Sequence, residues 1–172
     1  MPLYDVEYIT PLTDQTQEEL AKAFTKIHAE RFGTPSYFIN VPYTDVTAQK
    51  VFRGGVLKKY NRLILRTRAG AERSVELYNE HCESLVGAWE QIVGKEPEKE
   101  LRTVWVLGAL TTALEAGFVR PKVGEEKAWL LKHRDEFQRL ADAGDEDMQG
   151  LMEELRTRAD FADIVKLLYL QI

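Results

Sequence analysis

The sequence predicts an α+β fold in which a strand–helix–strand unit occurs twice and further helices follow. Two observations support this: alternating apolar and polar segments are interleaved with segments of helical period, and a cap signal stands at each interleaved helix. The four predicted strands are residues 2–9, 37–44, 62–68 and 101–108. Because a helical crossover between parallel strands is right-handed, the two units predict a four-stranded mixed sheet with both helices on one face.

The two crossover helices are predicted from their ends. Thr13 precedes an apolar stripe of helical period, where its hydroxyl can cap the first backbone N–H groups, and Gly33 follows that stripe. The second helix is predicted to begin at Glu72 or Ser74 and to end before Gly94. Its apolar residues also recur on one side, so both helices have a face to bury against the sheet.

The rest of the chain is assigned from local signals. A Gly54-Gly55 pair marks a turn within a long connection, because glycine tolerates backbone angles that other residues avoid. The predicted elements are that connection over 45–60, a short helical turn over 111–121 that ends before Pro121, and helices over 124–143 and 145–170.

No linker or low-complexity tract divides the sequence, so one domain is predicted over residues 1–172, with 124–172 as a C-terminal helical extension. The predicted strands carry apolar residues on both faces, whereas only two helices are available as cover. The second face of the sheet must therefore meet either the C-terminal helices or another subunit.

Composition excludes several classes of protein. A formal net charge of −5, with no clustered basic face, argues against a nucleic-acid partner. No apolar run approaches the roughly 18 residues that a membrane span needs, and the start of the chain does not read as a signal peptide. Cys82 is the single cysteine, which favours a reducing compartment, so a cytoplasmic location is expected.

Pro2 is the first candidate for chemistry. Removal of Met1 would expose its nitrogen as a secondary amine, and α-amino groups titrate near neutral pH, so it could act as an acid or a base. His28, His81 and His133 lie far apart and lack the spacing of a metal site. No metal and no cofactor are therefore expected.

Several short motifs follow one another at a definite spacing. They are Pro2-Leu3-Tyr4, Ile27-His28, Phe32-Gly33-Thr34, the run from Val51 to Val56, the run from Arg73 to Leu77, Val104-Trp105-Val106, Glu115-Ala116-Gly117 and Pro121. Over residues 2 to about 129, this order resembles the tautomerase superfamily, in particular the group of cis-3-chloroacrylic acid dehalogenase. The last 40 or so residues resemble no family.

The resemblance implies a cofactor-independent homotrimer that acts on a small carboxylate substrate. In that family the amino-terminal proline is the acid or base, which assigns that role to Pro2. It also implies that His28 and Arg73 hold the substrate carboxylate, and that Glu115 positions water or a second polar group.

Two positions depart from the dehalogenase pattern. Gly70 stands where the pattern has a second arginine, and Leu107 stands where it has a tyrosine. Arg68 or Arg66, on the preceding strand, are the candidates to replace the missing cation. Without the tyrosine hydroxyl, activation of water is harder to explain than movement of a proton.

Three functions stay open at this point. The first is keto–enol tautomerisation with neutral Pro2 as the base. The second is hydrolytic dehalogenation, hydration or decarboxylation with cationic Pro2 as the acid. The third is a trimeric binding protein whose catalytic site has decayed, which the changes at Gly70 and Leu107 would fit.

Overall fold

The computed structural model describes residues 2–68, 70, 73–108, 112–119 and 121–161. In chain order the elements are β1 (Leu3–Tyr8), α1 (Asp14–Phe32), β2 (Tyr43–Asp45), β3 (Val51–Arg53), β4 (Val56–Lys58), β5 (Asn61–Arg66), α2 (Val75–Ile92), β6 (Leu101–Leu107), β7 (Leu114–Glu115), β8 (Phe118–Val119), α3 (Glu126–Asp142) and α4 (Glu146–Thr157).

Four strands form a mixed sheet in the order β2-β1-β5-β6. Strands β1 and β2 are parallel, as are β5 and β6, and each pair is connected through a helix. The two halves meet where β1 runs antiparallel to β5. This arrangement confirms the predicted α+β fold.

Helices α1 and α2 cover one face of the sheet. The side chains of Thr13 and Ser74 cap them by accepting hydrogen bonds from the backbone N–H groups of Thr16 and Leu77. The buried residues of this core, which come from both helices and three strands, are Tyr4, Val6, Leu20, Phe24, Leu63, Leu65, Leu85, Trp89 and Leu101.

The opposite face of the sheet, called here the open face, carries both charged and apolar side chains. Arg62 of β5 forms an ion pair with Glu7 of β1. Trp105 and Leu107 of β6 are each 43% exposed. Among the described residues, the C-terminal helices pack elsewhere and leave this apolar patch uncovered.

Helices α3 and α4 form a second core with the segment that follows α1. Its buried members are Phe38, Trp129, Leu130, Phe137, Ala141, Met148, Leu151, Met152, Leu155 and Phe161. Arg158, just beyond α4, donates to the backbone carbonyls of Ala29 (3.1 Å) and Thr34 (2.9 Å). Glu154 accepts from the Ser36 N–H (2.8 Å). These bonds fix the extension to the C-terminal end of α1.

The predicted helical turn over 111–121 is wrong. In the described part, β7 and β8 form a hairpin whose two turn residues, Ala116 (φ 47°) and Gly117 (φ 85°), both have positive φ. Two consecutive residues in this conformation are typical of a type I′ hairpin turn. Glycine adopts it readily, but alanine seldom does, so the sequence signal was weak.

Three other boundaries differ from the prediction. The segment predicted as a strand over 37–44 begins with a 3-10 turn over Ser36–Phe38, and only its last part enters the strand Tyr43–Asp45. The predicted connection contains the β3–β4 ribbon, which turns at Gly54 and Gly55. The predicted helix over 145–170 ends at Thr157, because Arg158 is extended. The last part of the predicted range, from residue 162 onward, lies outside the described residues.

No described helix combines the length and the apolar character needed to cross a bilayer.

Val123, in the segment just before α3, packs against Gly70, a position where the sequence departs from the dehalogenase pattern. A Cβ atom on Gly70 would lie 2.7 Å from Cγ1 and 3.1 Å from Cβ of Val123. Both distances are shorter than ordinary carbon contacts. The segment before α3 therefore fills the space that a side chain at position 70 would need.

We expect Gly70→Ala to lower the free energy of unfolding by about 1–3 kcal/mol, because the added methyl group overpacks against Val123. Chemical denaturation measures the change. Adding Val123→Ala to this variant is expected to restore most of the loss. Gly87→Ala, on helix α2, is the control. A Cβ atom at this position has no neighbour within 4 Å, so the free energy of unfolding should be unchanged or higher. Equal effects at positions 70 and 87 would contradict the packing described.

Candidate active site

Seven side chains converge at the end of the sheet where β1 begins. They are Pro2, His28, Thr34, Thr67, Arg68, Arg73 and Glu126, and together they line one cavity. We call it the Pro2 cavity. It contains four of the five predicted site residues.

The register of the sheet brings Pro2 to this cavity. Leu3 pairs with Arg66 in the antiparallel β1–β5 ladder, so Pro2 lies opposite Thr67, the residue after β5. The Pro2 carbonyl accepts a hydrogen bond from the Asn40 N–H (3.1 Å), which anchors the buried residue at the start of β1.

The cavity is small, with a volume of about 10 Å³. That is space for about one water molecule. Two wider depressions, of about 480 and 590 Å³, lie open on the surface among exposed lysine and glutamate side chains. We assign the site to the small cavity because buried, convergent polar groups identify a site better than volume does.

His28 is held behind the cavity by a buried hydrogen-bond network. The Tyr4 hydroxyl lies 2.5 Å from Nδ1 of His28 and 2.7 Å from Nε2 of His81. Burial, together with the other imidazole and the Arg73 charge, lowers the pKa of His28 well below its ordinary value. Burial and the charges of Arg31 and Arg73 lower the pKa of His81 to about 4. Both rings are therefore neutral at pH 7.

Arg73 lies just before the start of α2, and its guanidinium carbon is 4.6 Å from the centre of the Phe32 ring. Such stacking holds a cation in place without neutralising it. Its Nη1 also donates a long bond of 3.4 Å to the Arg68 carbonyl, which accepts a second bond from the Tyr78 hydroxyl (3.1 Å). The turn after β5 is thus fixed by the start of α2.

Arg68 brings a second guanidinium to the cavity and meets an internal carboxylate there. Its Nη2 lies 3.4 Å from Oε1 of Glu126, and both side chains are more than four-fifths buried. The other oxygen of Glu126 accepts from the Gly124 N–H (2.7 Å). Burial lowers the pKa of Arg68, partly offset by the Glu126 charge. The group stays cationic, because arginine is protonated at any physiological pH.

Glu115 and Arg66 lie outside this constellation. Glu115 is half-buried in β7, away from the lining of the Pro2 cavity. Arg66 pairs with Asp5 instead of reaching into the cavity. Arg68 is therefore the residue that stands beside Arg73 in place of the arginine missing at Gly70.

Three groups of the site were missed in the sequence. Glu126 had the appearance of an ordinary helix-start charge, although its carboxylate enters the cavity. His81 was considered only as a possible metal ligand, and Tyr4 was recognised only as part of a motif. The available signal was periodicity. Tyr4 lies on the buried side of β1, where it alternates with partly buried residues, and His81 precedes the buried Leu85 by one helical turn.

Within the part of the chain that the structure describes, no group of three histidine, cysteine, aspartate or glutamate residues is arranged to hold a metal ion.

Comparison with known structures identifies the architecture. N1, a member of the cis-3-chloroacrylic acid dehalogenase family, superposes with a TM-score of 0.63 at 18% identity, covering 87% of this chain and 99% of that chain. An asymmetric trimer of fused 4-OT, named F6, gives a TM-score of 0.55 at 14% identity, with 68% and 94% covered. MIF2 of Leishmania major gives 0.52 at 15% identity, with 70% and 97% covered. At these identities the likeness concerns the fold.

No curated protein matches the chain. The family model Tautomerase_3, described as "Putative oxalocrotonate tautomerase enzyme", matches residues 1–136, which include every element from β1 to most of α3. With this match, the chain belongs to the Tautomerase_3 family of the tautomerase superfamily.

Proposed function

We propose that this protein catalyses keto–enol tautomerisation of a small 2-oxo carboxylic acid or its unsaturated enol, with the amino-terminal nitrogen of Pro2 as the base. The observation that carries the proposal is the convergence of Pro2, His28, Arg68 and Arg73 on one buried cavity. The proposal requires removal of Met1, because a proline nitrogen within a peptide bond is not basic.

The charges around Pro2 favour a base over an acid. Arg68 and Arg73 both line its cavity, and nearby cations disfavour the protonated form of an amine. Burial of Pro2 adds to this effect, because desolvation also disfavours charge. The nitrogen can then accept the proton of an enol hydroxyl and return it to carbon. One O–H bond breaks, one C–H bond forms, and the composition of the substrate is unchanged.

The same cations provide the carboxylate clamp. Guanidinium groups bind carboxylates through paired N–H donors, and Arg73 and Arg68 approach the cavity from two different elements. His28 is neutral and lies beside them, so it suits an uncharged contact with the substrate. Tautomerisation needs these groups and a cavity free of bulk water.

Substrate entry requires Glu126 to move. Its carboxylate is paired with Arg68 in a cavity that has space for about one water molecule. A substrate carboxylate therefore competes with Glu126 for the same guanidinium. We propose that Glu126 leaves the cavity when substrate binds.

A water-adding reaction, such as dehalogenation or hydration, is the second candidate. Its support is the structural likeness to N1, which belongs to the cis-3-chloroacrylic acid dehalogenase family. That chemistry would need a carboxylate such as Glu115 to position water, and Glu115 lies outside the lining of the Pro2 cavity. The tautomerase step does not depend on it, which is why we place tautomerisation first.

We expect Pro2→Ala to lower kcat/KM by about 10²-fold or more, because the change removes the secondary amine that moves the proton. The assay follows loss of ultraviolet absorbance of the enol of oxalocrotonate, the substrate in the family's description. Pro11→Ala, at an exposed loop position, is the matched control and should retain activity. If the unmodified protein is inactive, or if both variants are as active as the unmodified protein, a binding protein whose catalytic site has decayed becomes the better explanation.

The pH profile of the same assay separates base from acid chemistry. Neither imidazole near the cavity titrates around pH 7, because the pKa of His28 is lowered and that of His81 falls to about 4. A change in rate between pH 6 and 9 should therefore reflect the titration of the Pro2 nitrogen. A base gives a rate that rises with pH to a plateau, whereas an acid gives a rate that falls as pH increases.

We expect Glu126→Gln to lower KM for the same substrate about tenfold, with a smaller change in kcat, because the neutral amide no longer competes for the Arg68 charge. Steady-state kinetics measure both constants. Glu125→Gln is the control, since that exposed neighbour does not line the cavity. An unchanged or higher KM in Glu126→Gln would show that the carboxylate does not block binding.

We also propose that three copies assemble with their open faces directed inward. The uncovered patch of Trp105 and Leu107 supports this, as do the structural neighbours named as trimers. Light scattering should give a molar mass of about three chains. Trp105→Glu should reduce this mass, because a charge would be buried at the interface. Val75→Glu, a similarly exposed apolar position on α2, should leave the mass unchanged. A monomeric unmodified protein would refute the assembly.

A cytoplasmic location remains part of this proposal and rests on the single cysteine.

A further inference from the structure

We propose that Tyr4 and His81 are positioning residues that hold His28 in the tautomer protonated on Nε2, so that its ring offers an N–H donor to the Pro2 cavity. The use of this donor in catalysis rests on the proposed function. The tautomer itself does not, because it follows from hydrogen bonds within the core.

A single hydroxyl links the two imidazoles. Tyr4 is fully buried, and its oxygen lies 2.5 Å from Nδ1 of His28 and 2.7 Å from Nε2 of His81. Both rings are also buried, at 1% and 0% exposure. A tyrosine hydroxyl has one proton to donate, while its oxygen can accept. It therefore donates to one ring and accepts an N–H from the other, which leaves two arrangements.

In the first arrangement, Tyr4 donates to Nδ1 of His28 and accepts from Nε2–H of His81. The proton of neutral His28 is then on Nε2, and Nδ1 of His81 has no proton. In the second arrangement, Tyr4 donates to His81 and accepts from Nδ1–H of His28. The proton of neutral His81 is then on its Nδ1, and Nε2 of His28 has none.

The ring nitrogen of His81 that does not contact Tyr4 decides between the two arrangements. Its Nδ1 is buried and has no hydrogen-bond partner. The first arrangement leaves an unpaired lone pair there, whereas the second leaves an unpaired N–H donor. Buried N–H groups without a partner are rarer in folded proteins than under-satisfied acceptors. The first arrangement is therefore the stable one, and it places the His28 proton on Nε2.

Doubly protonated rings do not offer a third arrangement. Phe32 packs against both imidazoles, with ring centres 4.6 Å from His28 and 5.0 Å from His81, and supplies no charge to balance a cation. Arg73 and Arg31 both act on the pair, and both repel an imidazolium ion. A neutral pair joined by one shared hydroxyl remains.

This tautomer defines what His28 can do. Its Nδ1 is used by Tyr4, and its ring lines the cavity beside Pro2 and Arg73. Nε2–H is then a neutral donor to a substrate carboxylate or 2-oxo oxygen, and the ring has no free lone pair with which to take a proton. Pro2 is left as the base, and His28 polarises the oxygen toward which charge develops.

Nitrogen-15 NMR of protein labelled at histidine tests the tautomer directly, because protonated and unprotonated ring nitrogens have well-separated shifts. The chain has three histidines, and His133 on α3 is an internal reference remote from Tyr4. We expect His28 to show protonated Nε2 and unprotonated Nδ1 in the unmodified protein. A proton on Nδ1, or an even mixture of tautomers, would overturn the proposal.

Two variants test the origin of the bias. Tyr4→Phe removes only the hydroxyl, so His28 should become a mixture of tautomers while the His133 shifts stay unchanged. His81→Leu should also give a mixture, because the Tyr4 oxygen loses the donor that orients it, whereas His81→Gln offers an amide N–H in its place and should preserve the bias. An unchanged His28 tautomer in Tyr4→Phe would overturn the positioning role.

Kinetics distinguish this inference from the proposed function. Tyr4→Phe should lower kcat/KM about tenfold without changing the pH dependence assigned to Pro2, whereas His81→Gln should retain most of the rate of the unmodified protein. Pro2→Ala should abolish activity and leave the His28 tautomer intact. The expected tautomer in an inactive protein would refute the catalytic proposal alone, and an active protein with the other tautomer would refute this inference alone.

Discussion

The antiparallel register of β1 and β5 is the constraint on which the site depends. Leu3 pairs with Arg66, so the residue before β1 and the residues after β5 must lie at the same end of the sheet. Helix α1 then runs back across the sheet and returns its last turns, with His28, to that end. Helix α2 starts there, next to Arg73. Sheet pairing thus brings Pro2 and two guanidinium groups together.

Much of this architecture follows from patterns that the sequence displays. Alternation, cap residues and terminal glycines predict the four strands and two crossover helices, and short motifs place Pro2, His28 and Arg73 in one family pattern. Long-range pairing does not follow from local patterns, so the neighbours of His28 across the core could not be predicted. The β7–β8 hairpin was missed because Ala116 adopts a left-handed conformation that its residue type disfavours.

The C-terminal extension contributes to the end of the molecule that contains the Pro2 cavity. Arg158 and Glu154 tie it to the segment after α1, and its own apolar core includes Phe38 from that segment. With α3 and α4 held in this way, the start of α3 delivers Glu126 to the Pro2 cavity. The charge balance of the site, two guanidinium groups against one internal carboxylate, therefore depends on how the extension is packed.

The contact between Gly70 and Val123 also limits which side chains position 70 can hold. The space that a side chain would need at this position, where the dehalogenase pattern has a second arginine, is filled by the segment just before α3. An arginine placed at position 70 alone would clash with Val123 before it could add a cation to the cavity. A larger side chain there needs a coordinated replacement at position 123, so packing couples the two positions.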